Sequence, residues 1–79
     1  MIELFLESDK DGIVIYKYCT VSVEECSFGR ISLDKKTGEL AVLEKDGTGY
    51  EGSLRHAVLT VFHFYETNQY PTKREVAWY

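Results

Sequence analysis

The longest stretch with one repeating pattern is Tyr50 to Asn68, YEGSLRHAVLTVFHFYETN. Spaced ~100° apart, as on an α-helix, Tyr50, Leu54, Ala57, Val58, Val61, Phe62, Phe64 and Tyr65 fall on one arc. Leu59 is the large apolar residue clearly off it. An arc that wide suits a helix lying on a sheet. Thr48-Gly49-Tyr50-Glu51 fits a capping box at its start, with Ser53 as a rival N-cap. Asn68, which tolerates the left-handed conformation, and Pro71 mark its end.

The rest of the chain alternates with period two. Ile2 to Glu7 reads as a strand with Ile2, Leu4 and Leu6 on one side and Glu3, Phe5 and Glu7 on the other. Asp11-Gly12 then favours a hairpin turn. Ile13 to Val23 is a long β-prone run whose more aliphatic row is Ile13, Ile15, Cys19, Val21 and Val23, with Lys17 among them. That row is taken as the core face, with Lys17 near a sheet edge where its stem lies on apolar surface. Glu24 to Ser27 is a polar connection. Phe28 to Leu33 places Ile31 and Leu33 inward, and Phe28, Arg30 and Ser32 outward, with Gly29 marking a weak point or bulge. Asp34 to Gly38 is a hairpin loop. Glu39 to Glu44 has two nearly equal faces, Leu40/Val42 and Ala41/Leu43, so pattern does not set its register. Lys45-Asp46-Gly47 ends the sheet. Lys73 to Tyr79 is a short fifth strand or a docked tail, with Val76 and Trp78 on one side.

These elements predict an α+β fold: a four-stranded antiparallel meander with one long helix on one face and a C-terminal tail or edge strand. Seventy-nine residues fit a single domain, 1–79. Many small α+β domains share this layout, so it implies no function by itself.

Composition narrows the function classes. The net charge of −4 disfavours binding to a phosphate backbone, and Lys35-Lys36 and Lys73-Arg74 are too short for a basic footprint. No run of ~18 apolar residues occurs, so no membrane span is expected. MIELFLE lacks a basic n-region, so no targeting segment is expected and the location is taken as cytoplasmic. In a reducing cytosol Cys19 and Cys26 would be free thiols, although a bridge between them is geometrically open. Their C-x6-C spacing matches no zinc or thioredoxin pattern.

Candidate chemistry is sparse. His56 and His63 face the same side of the helix but lie about 10.5 Å apart along its axis, too far to share one metal ion. Asp9 to Gly12 lacks the later ligands of a calcium loop. Glu24-Glu25 are adjacent acids that point apart. A Cys–His nucleophile pair has only the presence of both residue types in its favour. No catalytic, metal or cofactor site is expected, and the chain is taken as a non-enzyme.

The informative surface is the sheet face behind the helix. With the aliphatic row turned to the helix, Phe5, Val14, Tyr16, Tyr18 and Phe28 are expected on the other face, with Arg30 beside them as a stacking partner or anchor. Phe5, Tyr16, Tyr18, Phe28 and Arg30 are therefore the expected contacts of a protein partner or a homodimer, with self-association expected through this open face or through an exposed sheet edge. Two other functions fit the composition: an acidic protein of the immunity or antitoxin kind that sequesters a basic partner, and a small thiol or metal protein using Cys19, Cys26, His56 or His63.

Overall fold

The computed structural model describes residues 2–20, 28–45 and 51–77. The strands are β1 (Ile2–Lys10), β2 (Ile13–Thr20), β3 (Gly29–Asp34) and β4 (Leu40–Glu44), followed by helix α1 (Glu51–Thr67) and β5 (Lys73–Val76). They form one sheet in the order β4-β3-β2-β1-β5, antiparallel at every pairing. The expected α+β meander with a helix and a C-terminal edge strand is what the chain adopts. The expectations for Val21 to Ser27, for the Thr48 cap and Tyr50, and for Trp78 lie outside the described residues.

Local chemistry accounts for most of the boundaries. Asp11 and Gly12 have φ of 55° and 78°, so the β1–β2 hairpin closes on two left-handed residues whose twist matches the strands. β1 therefore runs on to Lys10, past the expected end at Glu7. The register shifts between Leu6 and Ser8, leaving Glu7 as a bulge. At the β3–β4 loop Asp34 accepts from the Lys36 N–H at 2.8 Å, and Gly38 takes φ 76°. Helix α1 ends in a Schellman arrangement: Asn68 (φ 54°) donates to the Tyr65 carbonyl at 3.2 Å and Gln69 to the Phe64 carbonyl at 3.1 Å. Ser53 is not the N-cap. It is fully buried inside the helix, 2.6 Å from the Thr20 hydroxyl, and ties the first turn to the end of β2.

The core lies between α1 and one sheet face. Ile2, Leu4, Val14, Tyr16, Tyr18, Ile31 and Leu33 meet Ala57, Val61 and Phe64 there. This overturns the expected orientation of β2. Val14, Tyr16, Tyr18 and Thr20 face the helix, while Ile13, Ile15 and Lys17 lie on the opposite face. Lys17 decides the outcome. Turning its row inward would desolvate an ammonium at a cost of several kcal/mol. The gain from burying one more aliphatic side chain is only about 1.5–3 kcal/mol. The tyrosine row has no such difficulty, because a phenol needs just one partner when buried. The Tyr16 hydroxyl donates to the Pro71 carbonyl at 2.6 Å, fastening the segment after α1 to the centre of the sheet.

That contact has a pH signature. Burial, then the nearby Asp9 and Tyr70, push the Tyr16 phenol up to about 12 from its usual 10.0. The folded state therefore holds this proton more tightly than the unfolded chain does. The associated stability is complete below pH 10 and is lost as pH rises through about 12. A shift of that size is worth about 2–3 kcal/mol. Tyr16→Phe is expected to cost about 1 kcal/mol at neutral pH, the worth of the lost hydrogen bond. It should also flatten the alkaline limb when urea unfolding is followed from pH 9 to 12.

Candidate interaction surface

The expected partner residues separate in the folded chain. Tyr16 and Tyr18 are sealed under α1 with no exposed area, so the open face does not contain them. Phe5, Phe28 and Arg30 do lie on that face. The Phe5 and Phe28 rings meet edge to face at 6.1 Å. Lys17 sits over Phe28 at 4.7 Å, and Lys73 over Phe5 at 5.8 Å. Arg30 lies between Glu7, at 2.9 Å, and Glu44. The hydrogen bonds that the guanidinium donates to these two carboxylates, Glu7 first, raise its pKa further above its ordinary value. Lys73 also approaches Glu3 at 3.7 Å. Rings capped by ammonium groups and an arginine already held by two acids make a solvated face with its contacts satisfied internally.

The two edges of the sheet differ more. β5 reads Lys-Arg-Glu-Val, and its three charged residues are exposed, as on edges guarded against further pairing. β4 reads Leu-Ala-Val-Leu-Glu and has one charge, at its end. Val42 is 45% exposed and Leu43 54% exposed, because α1 lies over β3, β2 and β1. The side of α1 nearer β4 is also apolar. Tyr65 rests against Gly38 so closely that a Cβ there would come within 2.8 Å of the ring. Leu54, Val58 and Phe62 lie on the same side by helical spacing, and Phe62 is 39% exposed.

The backbone of β4 is directed outward at definite positions. The Asp34 N–H donates to the Glu39 carbonyl at 2.9 Å, so these two form a hydrogen-bonded pair. Antiparallel pairs alternate in type. Ala41 opposite Ser32 is then bonded to β3, while Leu40 and Val42, opposite Leu33 and Ile31, turn their N–H and C=O groups away from it. Beyond Val42 the register shifts and Leu43 is bulged. Alternation alone does not single out this edge. The equal faces of β4 are its trace in the sequence, but only the strand order places β4 at an open edge.

The candidate chemical residues do not assemble. His56 and His63 line shallow hollows between α1 and β5 together with Arg74, and Leu59 is exposed there. Asp9 pairs with Lys35 at 2.7 Å, and Asp11 is a turn residue. Among the described residues no group of three His, Cys, Asp or Glu side chains is placed to hold a metal ion. Cys19 is disulfide-bonded and nearly buried, which overturns the expectation of a free thiol there. The other cysteine of the sequence, Cys26, lies outside the described residues. No helix among the described residues is long and apolar enough to cross a membrane. No protein-family model, no curated protein and no solved structure matches this chain.

Proposed function

We propose that this chain is a non-enzymatic protein-interaction module that associates with itself through the open edge of β4. The observation that carries this reading is the contrast between the two edges. Three of the four β5 residues are charged, whereas Leu40, Ala41 and Val42 carry no charge, and Leu40 and Val42 leave their backbone donors and acceptors unpaired among the described residues. An aliphatic edge of this kind is a template for an incoming strand. The half-exposed Val42, Leu43 and Phe62 supply apolar area beside it. Sequestration of a basic partner has less to rest on, because Glu3, Glu7 and Glu44 are engaged with Lys73 and Arg30.

The test is sedimentation velocity from about 1 µM to 1 mM, a range spanning about −8 to −4 kcal/mol of association. The wild type is expected to gain mass with concentration. Val42→Lys should stay monomeric at least tenfold higher in concentration, with its circular dichroism unchanged because the site is half exposed. A wild type that is monomeric throughout would remove the reading.

A further inference from the structure

Resting on the self-association proposed above, we infer that two copies of this chain pair antiparallel along β4, with the two-fold axis passing through Ala41. The regular part of the edge is short. The β3–β4 loop bounds it on one side and the bulge at Leu43 on the other, leaving Leu40, Ala41 and Val42. Within it, Leu40 and Val42 direct their backbone groups outward, and Ala41 is bonded back to Ser32. Antiparallel pairing about Ala41 sets Leu40 of each copy opposite Val42 of the other. That forms about four hydrogen bonds and uses every outward N–H and C=O of the two residues.

Other registers fail on the same geometry. A slip of one residue sets a helix-side residue opposite an open-face residue. Larger slips run into the bulge or the loop.

The side chains agree with this register. Leu40 and Val42 both belong to the helix side, because their β3 partners Leu33 and Ile31 are buried in the core. The two copies therefore stack Leu40 on Val42 twice, continuing the apolar layer from one core towards the other. On the open face, Ala41 meets its own symmetry mate. Pairs not joined by hydrogen bonds bring side chains closest, and alanine leaves room for that approach. The arrangement also closes. A two-fold contact uses the β4 edge of both copies and leaves only the charged β5 edges outside, so assembly stops at a dimer.

Ala41 is exposed, so it accepts a charge without disturbing the folded monomer. Ala41→Lys and Ala41→Glu, each alone, place like charges face to face. Each should raise the dissociation constant at least tenfold above wild type in sedimentation velocity at low salt. Mixed in equal amounts they place opposite charges there, and a one-to-one heterodimer should form that added salt weakens. A wild type that associates beside a mixture that does not, or single variants that associate as the wild type does, would overturn the register while leaving self-association standing. A monomeric wild type would overturn both.

Discussion

Gly29→Ala is expected to destabilise the fold by about 2–4 kcal/mol, although alanine in place of glycine within a strand ordinarily gains about 0.5–1 kcal/mol. The reversal comes from Tyr18. Gly29 is its directly opposed partner across β2 and β3, and the ring occupies the space where a side chain on Gly29 would go. A Cβ on Gly29 would sit 2.2 Å from Cε1, 2.4 Å from Cζ and 2.6 Å from the hydroxyl oxygen. The ring cannot swing aside, because Tyr18 is fully buried in a core that also holds Tyr16, Ile31 and Leu4. The same contact fixes the worth of Tyr18. Tyr18→Ala should cost about 3–5 kcal/mol, close to the whole stability expected of a domain this small.

A double-mutant cycle on the milder Tyr18→Leu separates contact from propensity. In that background Gly29→Ala should become neutral or stabilising, giving a coupling of about 2 kcal/mol or more by urea denaturation. If Gly29→Ala is harmless in the wild type, the packing of Tyr18 on Gly29 is wrong, and the inward orientation of β2 with it.

Reducing the disulfide at Cys19 is expected to have the next largest effect, about 2–4 kcal/mol. Cys19 lies near the end of β2 beside Thr20, whose hydroxyl meets Ser53 in the first turn of α1. The bond therefore restrains the chain close to the point where sheet and helix are joined. For a chain of this length the loss corresponds to roughly 10–30 °C in melting temperature. Dithiothreitol should lower the wild-type midpoint by that amount and leave Cys19→Ser, already at the lower value, unmoved. Equal midpoints for both proteins in oxidised and reduced buffer would mean that the bond contributes nothing. The cytoplasmic location expected from the sequence sits against this bond, because reducing compartments keep thiols open.

The elements with one dominant pattern are legible in the sequence. The helical arc gave α1 and most of its inward residues, and alternation gave the faces of β1 and β3. Asp11-Gly12, Asp34 to Gly38 and Asn68 marked turns and a helix end that the backbone adopts. The orientation of β2 is not legible in the sequence, because both of its rows are apolar enough to be buried. The choice rests on Lys17 and on a partner for the Tyr16 phenol, the Pro71 carbonyl, which is 55 residues away in sequence. No local pattern carries that contact. The same ambiguity puts Tyr16 and Tyr18 among the expected surface residues, whereas Phe5, Phe28 and Arg30, on strands with one dominant pattern, are expected on the right face. Gly29 looked like a weakness because its reason, the Tyr18 ring, belongs to another strand. An exposed edge is expected from the sequence, but not that β4 forms it, because a sequence shows that a strand is apolar on both sides, not that nothing pairs beyond it.

Amide exchange at Leu40 and Val42, followed across protein concentration, tests pairing at the β4 edge most directly. Their N–H groups face outward in the monomer and should exchange rapidly when dilute, then slow progressively as copies associate. The Ala41 amide, directed at Ser32, serves as the internal reference and should be protected throughout. Rapid exchange at Leu40 and Val42 that is unchanged up to the highest concentration would contradict the edge as the site of self-association.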